Sequence, residues 1–383
     1  MAPGVRHTAL RAALLAALTL PSLAGATGLD NVLARLRAEI AAMPADDPAP
    51  IDTLLARYRD ETGIDLQIPV AGDSDAPLPA LVRPPAVTPA DWDAVSRYLR
   101  DTDAQHTVPV EMGELSLSLL DLDGDGQRDL VQSVYSGGTG LYTQVDMLRR
   151  DPQRGFVVPD SLDPQRPWAQ GQYGLSGRGS DQGLYWLRID GVSYIAYRDG
   201  DYYGDTLLLN RPLSADPRER SPTQQLKVRY GREHRLADPV MHVDGDPLDA
   251  RATAIATDRR LLRHIERLLG ALTVDGDGVA HFGDEQGRCP VPAGTDPGEA
   301  EIWPWRGAGS YTFDTAADTV IRSGRQCYSA TLIALRSSYA GDHALCCQLW
   351  LYRGPGEQVA TLDLRSRRWV SGVTLVPVPP QGE

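Results

Sequence analysis

The run Asp121-Leu122-Asp123-Gly124-Asp125-Gly126-Gln127-Arg128-Asp129 places carboxylates at positions 1, 3, 5 and 9 of a short loop, with glycine at position 6. Calcium takes six to eight oxygen ligands at about 2.3 to 2.6 Å, and this spacing lets a tightly turned backbone aim alternate side chains at one centre. Gly126 permits the sharp turn, and the backbone carbonyl of Gln127 supplies a further oxygen. Without a cation these acids repel one another. The expected ligands are therefore the side chains of Asp121, Asp123, Asp125 and Asp129 with the Gln127 carbonyl, and the expected cofactor is a structural Ca2+. The alternative is an acidic turn that binds nothing.

The flanks decide what kind of loop this is. A helix-loop-helix site carries a bidentate Glu at position 12, where this chain has Gln132. Leu115, Leu117 and Leu119 alternate with Ser116 and Ser118 on one side, and Leu130, Val131, Val134 and Tyr135 favour a strand on the other. Residues 115–135 thus resemble the Asp-rich calcium loops between strands in integrin-type FG-GAP and VCBS repeats. That resemblance is local and implies a calcium loop closing a strand pair. Those families carry the loop in serial blades, and this chain has one copy, so a propeller is not implied.

Other constellations are weaker. Asp199-Gly200-Asp201 with Asp205, Asp244-Gly245-Asp246 with Asp249, and Asp275-Gly276-Asp277 lack the full ligand series and read as turns. Gly137-Gly138-Thr139-Gly140 precedes a strand-like run rather than a helix, so a wide turn is expected there instead of a phosphate cradle. Aromatic residues between Tyr135 and Tyr203 read as sheet core, with a sugar-binding face as the alternative. No His-Glu-x-x-His, Gly-x-Ser-x-Gly, Walker or Ser-x-x-Lys pattern occurs, and the histidines have no ligand spacing. No catalytic residue can be named. Paired carboxylates for glycoside hydrolysis leave no fixed sequence spacing, which keeps a hydrolase in view.

The elements that must position the loop follow from periodicity. Leu29, Val32, Leu33, Leu36, Ile40 and Met43 fall at helix spacing, as do Ile51, Leu54, Leu55 and Tyr58. Residues 69–87 are rich in Pro, Ala and Asp and read as a linker, after which Thr88 caps a third helix opened by Pro89. Short strands are expected at 114–120, 129–135, 141–149, 183–190, 193–198 and 205–211. One long amphipathic helix then carries Leu261, Leu262, Ile265, Leu268, Leu269 and Leu272 on one face, with Asp258 near its start, and strands resume around residue 310. The expected fold is α+β: a helical N-terminal segment followed by mainly antiparallel β structure with that helix. The divisions are 1–26, a signal peptide; 27–105, helical with a Pro-rich linker; 106–246, β-rich with the calcium loop; and 247–383, helix plus antiparallel β. The helix marks a boundary between two β units or packs across one continuous sheet.

Arg6 and Arg11, the apolar run Ala12–Leu20 and the small residues Ala24-Gly25-Ala26 make a cleavable export signal with cleavage after Ala26. That run is too short to span a bilayer, so no membrane insertion is expected after cleavage. The net charge of −13, with no basic stripe, argues against nucleic acid. The four cysteines would meet an oxidising compartment, and Cys289–Cys327 is the expected disulfide. A hairpin of 327–338 with 343–353 would set Cys327 opposite Gly354, too far from Cys346 and Cys347. Those two are unfavourably placed to bond to each other and stay unassigned. Together these readings lead to a periplasmic or secreted, calcium-stabilised, non-enzymatic protein that binds an envelope protein or glycan. The alternative is a secreted hydrolase using paired Asp or Glu carboxylates.

Overall fold

The computed structural model describes residues 28–47, 49–70, 80–107, 114–137, 142–159, 166–176, 181–200, 204–237, 250–274, 280–282, 289–290, 293, 313–335, 347–354 and 357–379. Helices α1 (Gly28–Ala41) and α2 (Pro50–Tyr58) lead to strand β1 (Ile64–Ile68), then to α3 (Pro89–Thr102) and the single turn α4 (Ala104–Thr107). Thr88 caps α3 as the sequence predicts, its Oγ1 accepting from the Asp91 N–H at 3.2 Å. Strands β2 (Glu114–Leu120), β3 (Asp129–Gly137), β4 (Tyr142–Asp151), β5 (Gly155–Val157) and β6 (Gln172–Ser176) follow. With β1 they form a six-stranded sheet ordered β1-β2-β3-β4-β5, β6 pairing with β4.

Strands β7 (Asp181–Ile189), β8 (Val192–Gly200) and β9 (Gly204–Asn210), the turn α5 (Pro217–Arg220) and β10 (Gln224–Leu236) come next. Helices α6 (Ala250–Thr257) and α7 (Arg259–Gly270), the two-residue strands β11 (Thr273–Val274) and β12 (Ala280–His281), and β13 (Phe313–Ser323), β14 (Gln326–Leu335), β15 (Gln348–Gly354) and β16 (Glu357–Pro377) complete the described chain. The second sheet has eight strands in the order β13-β14-β15-β16-β10-β9-β8-β7. Among the described residues every strand pair in both sheets is antiparallel.

Strand alternation sorts the core into layers. On β2, Leu115, Leu117 and Leu119 pack against Val95 and Leu99 of α3. Leu120 faces the other way, with Val131, Val145 and Met147, and meets Ile195 of β8 and Leu208 of β9. Leu207 and Leu209 point to the far side of that second sheet, where Leu29, Leu33, Leu36 and Ile40 of α1 cover them. The order through this part of the molecule is α3, six-stranded sheet, eight-stranded sheet, α1 with α2. Truncating a side chain such as Leu33, which is fully buried, would cost about 2 to 5 kcal/mol.

One expectation changes. The helix starts at Asp258 as the sequence reads, the carboxylate accepting from the N–H groups of Arg260 and Leu261, but it is not a long one. Helix α7 has 12 residues against 14 in α1 and in α3, and Leu272 lies beyond its end. Its Leu261, Ile265, Leu268 and Leu269 are buried against β13–β16. Strands on either side of residue 246 also belong to one sheet, because the 21-residue β16 pairs first with β15 and then along all of β10. This is the continuous-sheet arrangement of the two that the sequence allows.

Cys289 and Cys327 are disulfide-bonded, as expected. The β14–β15 register, Ser329 opposite Tyr352, is the frame that sets Cys327 across from Gly354. Cys347 is also disulfide-bonded, and Cys346 lies outside the described residues. Among the described residues no helix is long and apolar enough to cross a membrane.

Candidate metal centre

The acidic loop closes the β2–β3 hairpin, whose last pair is Leu120 with Asp129. Gly124 and Gly126 both sit at φ 85°, the left-handed region that side chains other than glycine rarely adopt. An added Cβ at either position would meet nothing within 4 Å, so backbone conformation rather than space requires glycine there. Leu122 is the anchor in the middle of the turn, 3% exposed and packed with Trp168 and Ile195.

Around that anchor the carboxylates organise the backbone. Asp121 accepts from the N–H groups of Gly124 at 2.9 Å and Gly126 at 3.1 Å, and Asp123 accepts from Asp125 N–H at 3.1 Å. One oxygen each from Asp121, Asp123 and Asp129 lie within 4.8 Å of one another. Asp125 is not in that group; it accepts from the Gln127 backbone N–H at 2.7 Å and from Gln127 Nε2 at 3.2 Å. Gln132, at position 12, points to the α3 side of the sheet, where Tyr98 Oη donates to its Oε1 at 2.7 Å.

Asp129 is 1% exposed, and its two oxygens accept from Leu122 N–H at 2.9 Å and Arg150 N–H at 2.8 Å. Burial pushes its pKa up to about 7 against the pull of those two hydrogen bonds, with Asp123 and Asp125 adding repulsion. Asp123 is also raised, by burial first and then by Asp125 and Asp121. Three hard oxygen donors at this spacing, with neighbours resisting ionisation, suit a hard cation that would neutralise them.

Long-range contacts fix the loop against the second sheet. Ser193 Oγ on β8 shares its one proton between the Asp121 carbonyl at 3.1 Å and buried Asp60 at 3.3 Å. Arg211 Nη2 donates to the Asp123 carbonyl at 3.3 Å. Beside the loop opens a cleft of about 630 Å³ lined by Thr62, Thr88, Asp91, Asp121, Gln127, Arg128, Arg150 and Arg188, among others. Arg128 pairs with Asp91 at 3.2 Å and Arg188 with Asp60 at 2.9 Å. Burial opposes the charge of Asp60, but hydrogen bonds from Thr62 and Arg188 outweigh it and hold its pKa below the ordinary value.

The remaining sequence candidates fall apart in space or become structural. Asp205 forms a buried ion pair with Arg198 at 3.0 Å and accepts a hydrogen bond from Tyr230, while Arg198 also reaches Asp52 at 2.7 Å. The sequence reading missed this group; its one signal is Arg198 directly after the apolar run Tyr194–Tyr197 inside β8. Asp244–Asp249 and Asp275–Asp277 lie outside the described residues. Trp168, Tyr173 and Tyr194 are core residues, each at 5 or 6% exposure. His234 is buried on β10, and burial lowers its pKa to about 4, away from acid-base work near neutrality.

No family model, curated protein or solved structure matches this chain.

Proposed function

We propose that the protein is exported, binds calcium through Asp121, Asp123, Asp125, Asp129 and the Gln127 carbonyl, and serves as a non-enzymatic binding protein for an envelope protein or glycan. The observation that carries the calcium part is the convergence of the Asp121, Asp123 and Asp129 oxygens within 4.8 Å on a loop already shaped by two left-handed glycines. Calcium rather than magnesium is favoured because the donors are carboxylates and carbonyls of an irregular turn, without the strict octahedron that magnesium demands. Its role is to cancel repulsion and hold the β2–β3 register, which keeps the core side chains of both strands on their proper faces.

The hydrolase reading would want two close carboxylates, one with a raised pKa. Asp129 has the raised pKa, yet both its oxygens hold backbone N–H groups and it is 1% exposed, so it does not reach a substrate.

The experiment is a thermal melt in excess EDTA and then in millimolar calcium, alongside Asp123→Ala and Asp277→Ala. A ligand at one hundred times its Kd stabilises the folded state by about 2.7 kcal/mol, so calcium should raise the midpoint by several degrees. Asp123→Ala should abolish the rise and Asp277→Ala should keep it. An unchanged midpoint, with no ion found by metal analysis, would return the loop to an acidic turn. Binding to envelope extract, with and without calcium, tests the partner.

A further inference from the structure

A second groove, away from the acidic loop, carries its own chemistry. Ala45, Asp46, Glu233, Arg367 and Trp369 line an open depression of about 490 Å³, within the size range of small-ligand sites. Trp369 on β16 pairs directly with Gly231 on β10, and Arg367 pairs with Glu233. These four residues therefore share one face of the sheet.

The glycine is what seats the ring. A Cβ on Gly231 would lie 2.3, 2.5 and 2.6 Å from three indole atoms of Trp369, so only the absence of a side chain lets the indole lie against the β10 backbone. One wall of the groove is fixed as well, because Val370 N–H donates to the Ala45 carbonyl at 2.8 Å and ties the α1–α2 connection to the residue after Trp369. Asp46 and Arg367 stand exposed at the rim, and among the described residues neither side chain makes a hydrogen bond or ion pair.

An aromatic platform with carboxylates and a guanidinium at its edge matches a ligand that is apolar on its face and hydroxylated on its rim. A pyranose with equatorial hydroxyls is such a ligand. Its axial C–H bonds make a flat apolar face that stacks on indole, its hydroxyls donate to carboxylates, and its oxygens accept from arginine. Glu233 is already paired with Arg235 at 2.6 Å and Asp46 offsets Arg367, so the rim is close to neutral and gives an anionic group no net attraction, while a wholly apolar ligand would desolvate the charged rim without compensation. We propose that this groove binds a gluco-configured pyranose unit of a glycan, with Trp369 as the platform and Asp46, Glu233 and Arg367 as the polar contacts. This rests on the glycan branch of the proposed function and narrows it.

The test is calorimetric titration of the purified protein with cellohexaose and with chitohexaose, each in calcium and in EDTA. One of the two should bind, and Trp369→Ala should weaken it at least about tenfold. Trp369 also packs against the sheet, so Asp46→Ala and Arg367→Ala supply the second measure: both are exposed, should leave the melt unchanged, and should each weaken binding several-fold. The proposal is overturned if neither oligosaccharide binds, or if binding is the same in all three variants. Binding that ignores these variants would leave a glycan-binding protein with its site elsewhere. Trp369-dependent binding without any calcium effect on the melt would remove the calcium reading alone.

Discussion

The backbone N–H of Arg150 donates to Oδ1 of Asp129 at 2.8 Å, which ties strand β4 to the residue where the acidic loop re-enters β3. Asp129 Oδ2 takes the Leu122 N–H at 2.9 Å, so one carboxylate serves both the sheet and the turn. Asp129→Ala leaves the buried Leu122 N–H and the half-buried Arg150 N–H unpaired, the buried one at a cost of about 1 to 3 kcal/mol. Its destabilisation should persist in EDTA, whereas that of Asp123→Ala should appear only when calcium is present. Urea unfolding of both variants, with and without calcium, separates the two roles; equal behaviour of the pair would contradict them.

The pH dependence has a definite sign. Burial holds the folded-state pKa of Asp129 near 7, with Asp123 and Asp125 adding to it and the Leu122 and Arg150 N–H groups opposing, while the unfolded residue titrates at about 3.9. Between those values the folded state keeps a proton that the unfolded state has lost. In EDTA, stability should therefore fall as pH rises from about 4 to about 7, by a few kcal/mol at most. Calcium favours the ionised form and should flatten that slope. Asp129→Asn should lose this contribution in EDTA and keep only the pH dependence of the other shifted groups, among them Asp123, Asp60 and His234, which makes it the control for them.

The Arg198–Asp205 pair is buried on both sides, with side-chain exposures of 4% and 3%. Removing one partner strands the other charge, and Asp205→Ala should cost about 3 to 5 kcal/mol by urea unfolding. Tyr230→Phe, which removes one hydrogen bond to Asp205, should cost about 1.5 to 3 kcal/mol. Neither should alter the calcium shift of the melt. A neutral Asp205→Ala would mean the pair contributes no more than a surface one.

The Cys289–Cys327 disulfide spans a sequence separation of 38 residues. On the chain-entropy account, losing it costs up to about 4 kcal/mol. The double variant Cys289→Ala with Cys327→Ala should unfold at clearly lower denaturant than the parent. Non-reducing peptide mapping that joined Cys327 to Cys346 or Cys347 would contradict the pairing.

Export predicts a processed start. N-terminal sequencing of the protein recovered from the periplasm or medium should begin at Thr27, since Ala24 and Ala26 supply the small side chains that the peptidase needs. A start at Met1 would remove export from the proposed function.

Local signals in the sequence reached a good part of this fold. The alternation of Leu115, Leu117 and Leu119 with serines sets β2, the glycines and acids of 121–129 set the turn, and Thr88-Pro89 sets the start of α3, because each depends on neighbours within a few residues. The Cys289–Cys327 pairing was reached through a hairpin register, itself a local property. The same locality placed the start of α7 at Asp258 but misled at its other end, where leucine periodicity runs on to Leu272 although the helix stops at Gly270.

What remained was decided by tertiary structure. That β16 joins β15 to β10 in one sheet depends on pairing between segments more than a hundred residues apart, which no local pattern encodes. The sequence marks the acids of the loop, but burial and the donors from Leu122 and Arg150 decide that Asp129 joins Asp121 and Asp123 while Asp125 turns to Gln127. Trp369 and Gly231 carry no signal separately; only the β10–β16 register brings the ring over the one residue with no side chain to exclude it.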